Sequence, residues 1–330
     1  KRILLIAGKP SHGPGDHEFR AGVLLWQQSL KDVPGITVEV YTNGWPDSDA
    51  VFEGADAVVI YADGGGGHPA VQKDRIALID GLVGEKPVGE LQALIFDQVS
   101  TLLAHKIRTF HVDVIYPEYR SVIGKQANTT SMIFTADFVT QLNRFVRAKD
   151  GFINLHLVTT FPYKRIRAFE RSGVGAICFQ LDSIPDRSML IELMARIIEM
   201  DALPSPVIET VGTQTLAPKS PAEVFDFLKP VLSQAGMLTF QAARTGSRSN
   251  QPEVSFALDA FQAYLAPFQN DFKGTYQVQG GITTDTIGAA VTAGAEFLVC
   301  GTQIFHNTEG IAPTQVIDQL LEAAADALEL

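Results

Sequence analysis

Val278-Gln279-Gly280-Gly281-Ile282 and, further along, Ala293-Gly294-Ala295-Glu296-Phe297-Leu298-Val299-Cys300-Gly301-Thr302 share one plan. Each holds a short apolar run that ends in glycine and leads into helix-starting sequence. Two such units in succession read as the last two βα steps of a parallel sheet. Loops after the seventh and eighth strands form the usual phosphate site of a (β/α)8 barrel. Glycine lets backbone N–H groups approach an anion, and a following helix start adds its dipole. Gly280, Gly281, Gly301 and Thr302 are therefore the expected phosphate-binding positions. The plainer alternative is that they are only tight βα turns.

Upstream the same alternation repeats. Strands are expected at 109–115, 152–158, 175–181, 205–211, 237–243, 275–279 and 296–300. Helices are expected over 136–148, 163–172, 185–201, 220–234, 255–266, 284–293 and 313–327. A helix over 90–107 precedes them, with Leu91, Leu94, Ile95, Val99, Leu102, Leu103 and Ile107 at helical spacing. The 241 residues of 90–330 approach the roughly 250 of such a barrel, but its first strand is not visible.

The N-terminal part alternates as well. RILLIAG (2–8), ITVEVYT (36–42) and ADAVVIYAD (55–63) read as strands. A helix over 19–33 carries Phe19, Val23, Trp26, Leu30 and Val33 on one side, and Pro69 starts another over 69–83. The junction Gly84-Glu85-Lys86-Pro87-Val88-Gly89 divides the chain into 1–86 and 87–330. That agrees with its 330 residues at roughly 150 per domain.

Composition excludes several classes. Apolar residues at 46% and charged residues at 19% rule out a mainly disordered chain. Of the net charge of −11, residues 1–86 hold 8 basic and 12 acidic groups, so −4 lies there and −7 in the rest. With no basic run, a nucleic-acid partner is not expected. No apolar stretch reaches the roughly 18 residues of a membrane span, so no membrane partner is expected. Cys178 and Cys300 sit in apolar runs and read as buried reduced thiols. No signal peptide is visible, so cytoplasm is expected, although a start at Lys1 leaves room for an upstream segment.

The chemistry-bearing residues cluster at expected strand ends. His111 and Asp113 are spaced i, i+2, which points both to one face of a strand. His156 lies near the end of the next strand. Two imidazoles and a carboxylate could hold a divalent metal. The alternative is an Asp–His pair beside a packed histidine. Two polar loops, His12–Arg20 and Asp63–Pro69, follow N-terminal strands, at the end where open α/β sheets bind ligands. The four glycines of the second loop have no following Lys-Ser/Thr and make no P-loop. Lys164, Arg165 and Arg167 read as a solvated helix face.

Two families are resembled. RILLIAGKPSHGPGDHEF and DAVVIYADGGGGHP, within residues 1–83, resemble the ThuA-like (trehalose utilisation) family. That resemblance implies the first half of a flavodoxin-like parallel α/β fold. Residues 90–330 resemble ribulose-phosphate 3-epimerase, a (β/α)8 barrel. The resemblance rests on Phe110-His111-Val112-Asp113-Val114, on His156-Leu157-Val158 with Pro162 and Tyr163, and on Arg171-Ser172-Gly173-Val174-Gly175-Ala176. It continues through Val278-Gln279-Gly280-Gly281-Ile282, Ala293-Gly294-Ala295 and Gly301-Thr302-Gln303-Ile304-Phe305.

The second resemblance implies a metal held by His111, Asp113 and His156, with Asp113 also the general base. In that family a second Asp completes the catalytic pair and moves the C3 proton from the opposite face, through an enediolate. The matching position here is Gln279. An amide does not titrate near neutral pH, so Gln279 predicts weak epimerisation while one-base isomerisation survives. The family's glycine-rich loop after strand six is Arg244-Thr245-Gly246-Ser247-Arg248 here, which adds Gly246 to the expected phosphate-binding positions.

The implied function is a ketose-phosphate epimerase or isomerase with a divalent metal of the Zn, Fe, Mn or Co class. Its partner is a small phosphorylated sugar, and a homo-oligomer is in keeping with it. Two other readings stand beside it. One is a non-catalytic or degenerate carbohydrate- or phosphate-binding barrel, and the other is an artificial fusion of two gene fragments. A strand over 55–62 is expected to fill the place of the missing first barrel strand, because an open parallel edge leaves backbone groups unpaired.

Overall fold

A computed structural model describes residues 1–13, 16–52, 55–63, 88–123, 130–213, 215–245, 256–306 and 310–328. It forms two compact units, Lys1–Ala93 and Leu94–Leu330. The expected helix 69–83, the glycines 64–67, most of the junction 84–89, and Gly246 with Ser247 and Arg248 lie outside the described residues.

In the first unit, strands β1 (Arg2–Ala7), β2 (Thr37–Tyr41) and β3 (Ala57–Tyr61) form a parallel sheet of order β2-β1-β3. Such a sheet fits a preceding half domain. Helix α1 (Phe19–Leu30) packs Phe19 and Val23 against Leu5 and Ala7. The rest of the expected apolar stripe does not pack as anticipated. Trp26 and Val33 are exposed, and the helix stops at Leu30. Strand β3 pairs with β1, and the seven strands of the second sheet do not include it. The expectation that 55–62 completes the barrel is therefore wrong. Arg2 on the central strand ties the sheet together: its side chain donates to both Glu39 carboxylate oxygens, at 2.8 and 2.9 Å, and its N–H donates to Asp56.

The second unit is a nearly closed barrel of seven parallel strands. They are β4 (Thr109–Ile115), β5 (Phe152–Val158), β6 (Ala176–Gln180), β7 (Leu203–Glu209), β8 (Met237–Gln241), β9 (Thr275–Gln279) and β10 (Phe297–Val299), hydrogen-bonded in that sequence. Helix α2 (Val88–Ala104) begins before the division at Ala93, and the longer helices of the second unit are α3 (Ala136–Arg147), α4 (Arg187–Glu199), α5 (Pro221–Leu228), α6 (Leu258–Leu265), α7 (Ile287–Thr292) and α8 (Pro313–Leu328). Among the described residues no strand joins β10 to β4. Strand β7 lies two residues earlier than the expected 205–211 and takes in both Pro204 and Pro206. Strand β7 pairs with β6 over Leu203–Val207, across both prolines, and with β8 only over Val207–Glu209.

The strands have a strict period of two. Phe110, Val112, Val114, Ile153, Leu155, Leu157, Ile177, Phe179, Ile208, Leu238, Phe240 and Val278 join one hydrophobic core with the helices. The intervening positions face the lumen and are polar: Asn154, Cys178, Ser205, Thr239 and Gln277 are all fully buried. They satisfy one another. Asn154 accepts from Cys178 at 2.9 Å and donates across the barrel to Gln277 at 2.5 Å, while Ser205 and Thr239 pair at 2.7 Å. A buried network of this kind is tolerable because nearly every member has a partner. Burial pushes the Cys178 thiol up to about 11 and the half-buried Cys300 thiol up to about 12, so both remain free and protonated near neutrality.

Phe179 shows what the outer layer contributes. It is fully buried between β6 and the helices. Phe179→Ala is expected to destabilise the barrel by roughly 3–5 kcal/mol, a transfer term plus a cavity. Urea unfolding of the two proteins measures it, and a loss under 1 kcal/mol would contradict this packing.

Candidate active site at the barrel mouth

The polar face of each strand from β4 to β9 ends in a group that can donate, accept or titrate. Asp113 is near the end of β4 and His156 near the end of β5; Gln180, Glu209, Gln241 and Gln279 are the last residues of β6, β7, β8 and β9. These are the carboxyl ends of barrel strands, where such folds carry their chemistry.

His111, Asp113 and His156 come together as the spacing predicts. Asp113 Oδ1 lies 3.2 Å from His111 Nε2 and 2.8 Å from His156 Nδ1, and the imidazole centroids are 5.4 Å apart. Loss of water at the crowded mouth works against ionisation of Asp113, but the two imidazoles outweigh it and hold the carboxyl well below the usual carboxylate range. The side chain is still 49% exposed, so the imidazoles rather than burial govern its charge. One ligand atom from each of the three residues falls within 4.8 Å of the others, close enough to share a metal ion.

A hydrogen-bond chain runs on from this triad. His156 Nε2 faces Gln180 Oε1 at 3.0 Å, and the Gln180 amide donates to Glu209 at 2.9 Å and to the Tyr119 hydroxyl at 3.1 Å. Both Glu209 oxygens accept from the Thr245 hydroxyl at 2.8 Å. Glu209 is 4% exposed. Burial pushes its carboxyl up to about 8, against the pull of Thr245 and Gln180 and with repulsion from Asp182. No motif of the sequence marks Gln180, Glu209 or Gln241. Their signal was present in AICFQ, LPSPVIE and MLTFQ, each of which closes an apolar strand on an amide or acid.

His156 meets an acceptor at each ring nitrogen, since Gln180 is oriented by its own two donations. A neutral imidazole has a single N–H, so only one of these acceptors receives it, and a metal cation on the Asp113 side would relieve the mismatch. His111 Nδ1 and Gln279 Oε1 are buried without a partner among the described residues. The acceptor pair around His156 and the three ligand atoms within reach of one another suit a cation at the triad.

Gln279 lies at the same mouth but does not join the triad. Its amide donates to Gln241 Oε1 at 2.7 Å, and Gln241 donates to the Ala243 carbonyl at 2.7 Å. Gly280 and Gly281 follow with φ of +91° and +73°, the left-handed region that glycine alone enters freely. A Cβ on Gly280 would also stand 2.7 Å from Gln241 Nε2 and 2.9 Å from the Ala243 nitrogen. Gly280→Ala is expected to cost roughly 1–3 kcal/mol, read by urea unfolding. An unchanged midpoint would mean that the turn adapts freely. Gly301 and Thr302 open a one-turn helix after β10 and are exposed. Gln303, inside the Gly301-Thr302-Gln303-Ile304-Phe305 motif, ties this loop to the preceding one: it accepts from the Thr284 N–H at 2.9 Å and donates to the Thr284 hydroxyl at 3.0 Å. Arg165 is no idle solvated residue. It donates to Glu118 at 2.8 and 3.0 Å and lies over the Tyr116 ring at 4.2 Å.

A family model described as the ribulose-phosphate 3 epimerase family matches residues 91–305, more than half of the chain. The chain belongs to the ribulose-phosphate 3-epimerase family. It is 25% identical over 182 residues to a ribulose-phosphate 3-epimerase of Candida glabrata, covering 54% of this chain and 64% of that protein. Here the chain spans less than two thirds of its relative. It is 24% identical over 232 residues to a ribulose-phosphate 3-epimerase of Schizosaccharomyces pombe, covering 70% of this chain and 89% of that one. A crystal structure of 3-hexulose-6-phosphate synthase from Salmonella typhimurium superposes with a TM-score of 0.47 at 11% identity, covering 67% of this chain and 88% of that one. Within this member of the ribulose-phosphate 3-epimerase family, the matched segment contains all of β4 to β10, and with them every mouth residue described above.

Proposed function

We propose that the barrel is a ketose-phosphate epimerase or isomerase acting by proton abstraction beside the sugar carbonyl. The observation that carries this reading is the convergence of His111, Asp113 and His156 at the carboxyl ends of β4 and β5. Asp113 is the base. It is ionised, half exposed to an incoming sugar, and fixed by two imidazoles. His156 is fixed in turn by Gln180. The same three residues would hold a divalent cation of the Zn, Fe, Mn or Co class, and such an ion supplies positive charge where the enediolate develops its negative charge. The glycine turn at 280–281 and the start of the helix at 301–302 offer backbone N–H groups to a phosphate, and Gln303 keeps the two loops in step.

One observation favours a second reading. Gln279 holds the place of a titratable group, and its amide is committed to Gln241, which suits a barrel that binds phosphorylated sugars without turning them over. Incubation with ribulose 5-phosphate in heavy water, followed by NMR, separates the two. Deuterium entry at C3 supports the enzyme, and none supports the binder. Metal content gives a separate check. His156→Ala is expected to lose one equivalent of bound metal in elemental analysis, and an unchanged content would remove the triad as a metal site.

A further inference from the structure

We propose that Glu209 is the second proton-transfer group of the barrel, acting on the sugar face away from Asp113 and taking the part that Gln279 cannot. This rests on the enediolate reading above. Glu209 ends β7, and β5 and β6 stand between it and Asp113 on the barrel wall, so the two carboxyls approach the mouth from different sides. Its side chain is directed to the lumen, where Gln180 and Thr245 hold it. Gln180 joins it to His156, so both carboxyls belong to one hydrogen-bonded assembly. The titratable and charged groups facing it are the Tyr119 hydroxyl, Asp182, which Lys219 neutralises at 3.3 Å, and His156 beyond Gln180. In that setting the carboxyl keeps its proton up to about pH 8 and is an acid near neutrality. Two carboxyls driven to opposite protonation states by their surroundings are the pattern of an acid and a base.

In the step, the C3–H bond breaks, its proton goes to Asp113, its electron pair forms the C2=C3 bond, and the π pair of the C2 carbonyl moves onto the oxygen to give the enediolate. The Glu209 O–H then breaks, its proton forms a new C3–H bond on the other face, and the electrons return to restore the C2 carbonyl. Glu209 is left ionised and Asp113 protonated, and exchange with solvent resets both.

The test uses the full chain, ribulose 5-phosphate and heavy water. E209Q is expected to lower epimer formation by roughly 10²–10⁴-fold, while deuterium entry into recovered substrate stays close to that of the unmodified protein. In the unmodified protein epimer formation slows in both directions as pH rises through about 8, because each direction needs the one proton that Glu209 carries. Undiminished epimer formation in E209Q overturns the proposal. Loss of exchange together with epimer formation makes Glu209 a positioning group and also overturns it. No exchange in the unmodified protein fells the enzyme reading itself, and this proposal with it.

A separate cluster in the first unit carries a second inference, independent of the barrel. We infer that His12, His17 and Asp63 form a binding site for a divalent cation of the Zn, Co, Ni or Cu class. His17 Nδ1 lies 2.6 Å from Asp63 Oδ1 and His12 Nδ1 lies 3.8 Å from Oδ2, so each carboxylate oxygen faces its own imidazole. The rings are 4.1 Å apart, and one ligand atom from each residue lies within 4.8 Å of the others. The loops after β1 and β3 bring them together. In the order β2-β1-β3 the chain leaves β1 on one side and returns on the other, and the carboxyl ends of such a switch are where open sheets bind ligands. Two imidazoles and one carboxylate suit borderline cations.

Zinc alone is the probe. The full chain carrying His111→Ala and His156→Ala, stripped by a chelator, is titrated with Zn²⁺ in a calorimeter. It is expected to bind one equivalent and to lose it when Asp63→Asn is added. The expected histidine NMR signature is a zinc-dependent shift of His12 and His17. All three side chains are at least partly exposed, so these changes leave the sheet intact. Failure to bind zinc, or binding unaltered by Asp63→Asn, overturns the site.

Discussion

Asp113→Asn is expected to slow the entry of solvent deuterium at C3 of ribulose 5-phosphate by roughly 10²–10⁴-fold, the usual weight of a positioned general base. Asn keeps the shape of the side chain and an oxygen for the imidazoles. It removes the charge that His111 and His156 stabilise. Because the side chain is half exposed at the rim and not in the hydrophobic core, the melting temperature is expected to stay close to that of the unmodified protein. Exchange within tenfold of the unmodified rate, in a variant that still melts normally, would mean that another group takes the proton.

The second large effect is on stability rather than turnover. The Glu209 carboxyl titrates at about 8 when folded and near 4.5 as an ordinary glutamate. Its folded pKa is raised, so the stability tied to its proton is complete below about pH 4.5 and is lost as pH climbs toward 8. In that window the unfolded chain ionises Glu209 and the folded chain does not. Each pH unit therefore removes about 1.4 kcal/mol, for a total of roughly 4–5 kcal/mol. Glu209→Gln has no such proton and keeps partners for Thr245 and Gln180. Urea unfolding of both proteins at pH 5, 6.5 and 8 isolates the term, since other titrating groups cancel in the difference. The variant is expected to gain on the unmodified protein steadily across the series. Parallel stabilities would mean that Glu209 is ionised in the barrel.

The motifs read from the sequence reached only part of this site. HVDV and the histidine of the next strand found the triad, because i, i+2 spacing on a strand fixes the face, and parallel pairing of consecutive strands then aligns Asp113 with His156. The glycine turn at 280–281 was equally legible, since left-handed backbone calls for glycine whatever lies around it. Gln180, Glu209 and Gln241 were missed because no motif names them. What marks them is their place at the ends of strands whose bounds the sequence gave only to within a residue or two. β7 was the clearest case: the expected strand ran over 205–211, so Glu209, which closes the observed strand, read as one of its middle positions.

Local pattern alone established the alternation of strands and helices, the parallel sheet and the identity of the triad. These follow from side-chain periodicity and backbone stereochemistry, which act over a few residues. Tertiary structure decided what distance in sequence conceals. It assigned β3 to the small sheet rather than to the barrel, through its pairing with β1. It committed Gln279 to Gln241 and joined His156 to Glu209 through Gln180. It also turned an ordinary glutamate into a protonated one, because the cost of charging a carboxyl depends on how much water the folded barrel leaves around it.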